Sequence, residues 1–302
     1  MSRRSRPQTS RRARPRALVG YLWISPWLVG FLVFFLGPTL TSLYLSFTRY
    51  NVISPAQFLG LNNYLYAFTQ DPDFWSAILR TSEYVLLAAP VGVVLSLLLA
   101  LLLNLRRAGT SLFRTFYFLP GLTPIVAAIL LWRWVFDTQT GPLNYLLDQV
   151  GIPGPGWFGS TTWALPAMVI IALWGNVGAN RMIVFLAGLQ GVPQDLYEAA
   201  EVDGAGRFAR FWHITLPMIS PTTFFNIVIG MIAAFKVFEV SFLTTQGGPN
   251  YATWFYMLKL YHTAFESFDM GYASALAWIF VVILLALTYF QLRWSETWVH
   301  YE

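Results

Sequence analysis

The chain has 302 residues, no cysteine, 56% apolar residues and only 11% charged residues, where an ordinary soluble domain is about 25% charged. Nineteen Lys+Arg and fourteen Asp+Glu cannot cover the exterior of a soluble protein of this length. Disulfide scaffolds, thiol enzymes and Cys-ligated metal sites are excluded by the cysteine count, and a disordered chain by 13 Trp, 15 Tyr and 25 Phe. What remains is an all-α, polytopic membrane protein.

The first sixteen residues hold Arg3, Arg4, Arg6, Arg11, Arg12, Arg14 and Arg16. The net charge of +5 therefore belongs to the terminus, and no nucleic-acid partner is expected. The apolar stretch that follows, 17–47, is too long for the core of a signal peptide and precedes no small-residue cleavage site. It reads as an uncleaved first span, kinked or interfacial around Pro26 and Pro38. Five more stretches have the length and apolarity of spans: 82–105, 115–136, 163–189, 221–243 and 272–292. Prolines inside or at the start of most of them are tolerated where neighbours or water take up the freed carbonyls.

If six helices alternate, the tail arginines, Arg106, Arg107, Arg114, Arg207, Arg210 and Arg293 share one side. The opposite loops hold only Arg49, Arg80 and Lys259, so both termini are expected in the cytoplasm. The chain then divides into a cytoplasmic arginine-rich tail (1–16), a first span with an external segment (17–81), five further helices (82–293) and a second cytoplasmic tail (294–302).

One inner segment, 190–220, stands out. Pro193 suits a first helical position, Asp195 the positive end of a helix dipole, and Gly204 a left-handed helix stop. Gly206 to His213 can restart a helix, and Pro217 is expected to separate it from the next span. Ala199 and Ala200 leave one face thin, so another surface can approach, and Glu198 beside them suits a bidentate arginine. Within the spans lie Glu83, Arg133, Arg181, Lys236 and Glu239. Charge in a bilayer is costly, so these face protein or water. Lys236 and Glu239, three residues apart, are expected to share a helix face and form an ion pair, either a structural pair packed against a neighbouring subunit or one that borders a solute pathway. Asn176, Asn180 and Asn226 can tie helices together or meet solute hydroxyls. Trp132 and Trp134 suit an aromatic belt, and His213, His262 and His300 are too scattered for a metal site.

The inner segment resembles the EAA loop of binding-protein-dependent ABC importer permeases, E-A-A-x-x-x-G-A followed by I-x-L-P. Glu198, Ala199, Ala200, Asp203, Gly204, Ala205, Phe211, Ile214, Leu216 and Pro217 stand in place. Gly60-Leu61-Asn62-Asn63-Tyr64, Leu186-Ala187-Gly188-Leu189-Gln190 and Gly247-Gly248-Pro249 are similar to its sugar-importer branch, which includes maltose-, lactose- and glycerol-3-phosphate-type permeases. Arg181 and Lys236 depart from the neutral or amide residues expected at their positions.

The resemblance implies a six-helix, type I ABC importer transmembrane fold in a bacterial or archaeal cell (inner) membrane. It implies a second related permease, two copies of an ABC ATPase and an extracytoplasmic solute-binding protein as partners, with the EAA loop docked on the ATPase. The chain itself lacks a phosphate-cradling G-x-x-x-x-G-K-[ST] motif, since neither Lys236 nor Lys259 follows a glycine. It is expected to be no enzyme and to hold no cofactor, ATP and Mg being bound by the partner ATPase. A sugar is the expected cargo; a polyol or a glycerol-3-phosphate-like solute is the alternative, with an intramembrane enzyme as the rival class.

Overall fold

The computed structural model describes residues 13–105 and 109–299; Arg3, Arg4, Arg6, Arg11 and Arg12 of the tail, with Arg106, Arg107 and His300, lie outside them. Five helical stretches are long and apolar enough to cross a membrane: Gly20–Leu45, Phe74–Leu103, Ala164–Gln190, Ser220–Thr244 and Met270–Ser295. Thr110–Leu122 and Ile125–Val135 make a sixth crossing if taken together, but they meet at 97°.

In chain order, α1 (Ala13–Gly30) runs through a widened turn, Phe31–Leu36, into α2 (Gly37–Leu45). The kink expected at the prolines takes this form. Pro38 has no N–H for the carbonyl of Phe34, and the widened turn absorbs that mismatch. A two-residue antiparallel pairing of β1 (Thr48–Arg49) with β2 (Gln57–Phe58) and the short α3 (Asn62–Thr69) lead into α4 (Phe74–Leu103). This helix starts eight residues before the expected Ser82. Its first turns mix apolar residues with Ser76, Arg80 and Thr81 and are held by the Asp71 carboxylate accepting from the Asp73 N–H at 2.9 Å and by an Arg80–Glu83 pair at 2.8 Å.

The expected third span is two helices, α5 (Thr110–Leu122) and α6 (Ile125–Val135). Thr123, driven out of the helical region by the proline after it, has ψ 130°, and Pro124 follows with the same value. The stretch after it contains α7 (Pro142–Gln149) and a short turn, Trp157–Gly159. The Trp157 indole donates to Asn144 Oδ1 at 2.7 Å and lies 4.5 Å from the Phe136 ring, so this Gly/Pro-rich loop is pinned to the core.

The fourth span is α8 (Ala164–Asn176), an irregular turn at Val177–Arg181, and α9 (Met182–Gln190). Then come α10 (Gln194–Val202), α11 (Arg207–Arg210), a widened turn at Phe211–Thr215, and α12 (Leu216–Met218). The fifth span is α13 (Ser220–Phe235) and α14 (Glu239–Thr244); α15 (Tyr256–Tyr261), a widened turn at His262–Glu266 and α16 (Met270–Ser295) complete the chain. His262 therefore sits in a helical turn beside Glu266, not in a loop.

The long α4 is the central post. Its buried residues include Ala77, Thr81, Tyr84, Ala88, Gly92, Ser96 and Ala100, one face repeating every three or four residues. Most are small, and helices in lipid associate by close packing of such residues. All three apolar clusters touch this face: one toward α6 and α8, one toward α9, one toward α15 and α16. The most apolar stretch of the first span, by contrast, buries nothing in this chain, and Trp23 and Phe34 are 82% and 83% exposed.

The segments that join α2 to α4 and α14 to α16 are tied by a buried ion pair. Lys259 Nζ lies 2.8 Å from Asp71 Oδ1, and the Tyr272 hydroxyl donates to the other oxygen. Burial pushes the Asp71 carboxyl up, but the hydrogen bonds from Lys259, Tyr272 and the Asp73 N–H outweigh it and hold the group below the usual carboxylate range.

Candidate functional site: a cavity among broken helices and an exposed inner knob

Three spans are interrupted at one place in the molecule. The third bends at Thr123–Pro124. The fourth loses helical geometry at Ala179, with ψ −126°. The fifth stops at Phe235, and Phe238, with φ −144° and ψ −63°, keeps α14 from continuing it. Non-helical backbone at membrane depth persists where it is enclosed by protein or lines a water-filled cavity. A cavity of about 310 Å³ is there, bordered by Tyr84, Gly121, Thr123, Asn176, Lys236 and Glu239 among others. A smaller space of about 70 Å³, sharing Tyr84 and Asn176, extends it toward Arg181.

The sequence expectations divide here. Lys236, Glu239 and Asn176 do border one cavity, and Asn176 keeps only one amide hydrogen bond, to the Ala172 carbonyl at 2.8 Å. The ion pair does not form: Lys236–Glu239 is absent from the ion pairs among the described residues. Both are exposed, and the break between α13 and α14 destroys the helical register that would align them. Asn226 is buried and donates to the Thr222 carbonyl at 3.1 Å, so it braces α13 and is no part of the cavity wall. Asn180 is exposed and borders neither space, because the turn at Ala179 sends it away from Asn176. Trp132 is no belt residue; it packs on Phe136 and Trp174 beside the main core cluster.

Tyr84 was not among the sequence candidates. Its signal is only its place on the small-residue face of α4, and it takes a bent α5 and a broken α8 to make that place a cavity wall.

The inner segment forms a helical knob. α10 ends in a hydrogen-bonded reversal: the Gly204 N–H donates to the Glu201 carbonyl at 3.1 Å and the Ala205 N–H to the Ala200 carbonyl at 2.8 Å. Gly204 has φ +80°, the left-handed geometry that favours glycine. Asp203 is the last residue before it. Tyr197 and Thr215, at 2.9 Å, and an Arg210–Glu201 ion pair, at 2.9 Å, lock the two halves together. Pro193 precedes the first helical residue, and Pro217 does not end a helix. The widened turn at Phe211–Thr215 takes up its missing N–H, and the interruption falls at Ile219 instead.

Glu198, Ala199 and Asp203 are exposed, and the Glu198 carboxylate has no partner among the described residues. Ala200, Ala205, Phe211, Ile214, Leu216 and Pro217 are half-buried and support the knob from beneath. Two residues missed by the sequence reading crown it: Val202 is 88% exposed and Phe208 77%. Both are apolar among charged neighbours in a segment outside the membrane, and that was the available signal.

Residues 92–300 match the family described as "Binding-protein-dependent transport system inner membrane component". The chain is similar to the probable ABC transporter permease protein YesP of Bacillus subtilis (strain 168), with 40% identity over 97% of this chain and 95% of that one. It is also similar to the arabinooligosaccharides transport system permease protein AraP of the same organism, with 33% identity over 91% and 88%. Among solved structures it superposes on a chain of a bacterial alginate ABC transporter in complex with an alginate pentasaccharide-bound periplasmic protein. The TM-score is 0.82, with 26% identity and coverage of 92% and 93%.

Proposed function

Because the chain belongs to the family of binding-protein-dependent transport system inner membrane components, we propose that it is the permease subunit of an ATP-driven importer whose cargo is a saccharide. The relatives named for arabino-oligosaccharides and alginate support a carbohydrate cargo. The cavity where three helices break is the place where that cargo crosses. Tyr84, Asn176, Lys236 and Glu239 offer it hydrogen bonds.

The energy comes from outside the chain, from ATP and Mg held by two partner ATPase subunits, with a second permease completing the pore and a solute-binding protein delivering cargo. The knob on α10–α11 faces the cytoplasm with both termini. It seats Val202 and Phe208 in the ATPase and offers Glu198 to a cationic side chain there. The observation that carries this reading is the exposed Glu198, without a partner among the described residues, on the same knob as the exposed Val202 and Phe208.

The test is reconstitution of the whole complex in liposomes. ATP hydrolysis should rise when saccharide-loaded binding protein is added. Glu198→Ala should weaken ATPase retention by at least tenfold, as expected when one partner of a buried charge pair is removed. Unchanged co-purification and unchanged stimulation in that variant would refute the docking role.

A further inference from the structure

Arg181 is a cation inside a span, and such a charge is retained only when something offsets its cost. Among the described residues no carboxylate does so: Arg181 has no hydrogen bond there and is in none of the five ion pairs. Space has nevertheless been kept for it. A Cβ added at Gly92 of α4 would stand 2.4 Å from Arg181 Nη1, and one at Gly230 of α13 would stand 2.9 Å from Nη2. Two neighbouring helices thus carry glycine where the guanidinium lodges between them. Arg181 lies two residues after the break at Ala179.

The guanidinium borders the smaller space, whose walls Tyr84, Ala172, Asn176 and Ala233 are shared with the main cavity. Around the joined space stand two cations, Arg181 and Lys236, and one carboxylate, Glu239, which pairs with neither. The balance is positive. A planar guanidinium matches a carboxylate with two parallel hydrogen bonds. The hydroxyls of a neutral sugar can accept from the guanidinium, but only an anionic group offsets the excess positive charge.

We propose that the cargo is an acidic saccharide and that Arg181 pairs with its carboxylate in the cavity. This rests on the importer reading above and narrows it from saccharides to uronate-containing ones. Lys236, at the opposite side of the α13 break, would contact a second anionic or hydroxyl group of the same cargo.

The experiment uses the complete complex, with its second permease, ATPase and binding protein, in proteoliposomes. Uptake of trigalacturonate is compared with that of its neutral trimethyl ester and with maltotriose and arabinotriose, in wild type, Arg181→Gln and Arg181→Lys. The wild type should take up the acid at least tenfold faster than the ester. Arg181→Gln should lower acid uptake about tenfold or more without a matching loss for the ester, and Arg181→Lys should restore part of it. Equal uptake of acid and ester by the wild type, or equal acid uptake by wild type and Arg181→Gln, would overturn the proposal. So would uptake confined to the neutral trisaccharides, which leaves the importer reading intact. Uptake of no saccharide at all would sink the importer reading and this inference with it. If Arg181→Gln fails to assemble, Arg181→Lys decides: an acid-to-ester uptake ratio unchanged from the wild type would overturn the proposal.

Discussion

At the scale of single residues, charge placement separates structure from transport. Asp71 and Lys259 are closed off, their side chains 5% and 8% exposed, with Tyr272 completing the shell of the carboxylate. Removing one partner of such a pair is expected to cost about 3–5 kcal/mol, because the other charge stays buried. Asp71→Ala should therefore lower the unfolding midpoint sharply, whereas Asp71→Leu with Lys259→Met should recover most of the loss; thermal unfolding of the purified protein measures both. The pH dependence has a definite sign. The folded-state pKa of Asp71 is depressed, so its contribution is complete above the unfolded value, about 3.9, and is lost as pH falls through the lower folded value. The stability difference between wild type and Asp71→Asn should be flat from pH 7 to about 5 and shrink only on further acidification. A difference that shrank between pH 7 and 5 would contradict the ion pair. Arg181, Lys236 and Glu239 have no ion-pair partner among the described residues and border the cavity instead.

At the scale of elements, the informative features are the places where helices stop. The reversal after α10 depends on Gly204, whose φ of +80° costs an L-residue with a side chain about 1–2 kcal/mol. Gly204→Leu should leave the protein inserted and its spans intact, since no atom lies within 4 Å of a Cβ there. It should misalign Val202 against Phe208, so that binding-protein-stimulated ATP hydrolysis falls several-fold while the basal rate changes little. Full stimulation in the variant would show that the reversal is not needed for coupling. In the membrane, the bends at Thr123–Pro124, Ala179 and Phe238 follow from different causes. The first is proline sterics. The second and third arise at Ala179 and Phe238, neither adjacent to a proline, so packing around the cavity holds them. A helix kept straight by local propensity would close the cavity.

At the scale of the whole molecule, α4 organises the fold, and α1 stands apart from it while α2 meets α16. The first span turns exposed aromatic residues outward and buries none of its most apolar stretch, so its partner is lipid or another subunit. Orientation is directly testable because the chain contains no cysteine. Single cysteines at Ile53, 90% exposed, and at Gln246 should react with an impermeant maleimide in intact cells. One at Glu296, exposed beyond the last span, should react only after permeabilisation. Labelling of Glu296→Cys from outside would overturn the placement of both termini in the cytoplasm.

The membrane class, the number of crossings and the inner knob followed from the sequence alone. Apolar runs of span length, arginine asymmetry and a glycine among charged residues are local signals, and water, lipid and backbone sterics act on them locally. Gly204 and the two short helices around it stand where the sequence put them. The cavity was decided by tertiary structure. Lys236 and Glu239 look like a helical pair at three-residue spacing, yet packing breaks the helix between them. Asn226 and Asn176 are the same residue type on apolar helices, yet one braces α13 and the other faces a cavity. Arg181 carries no local mark of its surroundings; only the approach of α4 and α13, with Gly92 and Gly230 opposite each other, gives the guanidinium a place. Such juxtapositions join residues up to about 140 positions apart in the sequence, and they exist only after non-adjacent helices have packed.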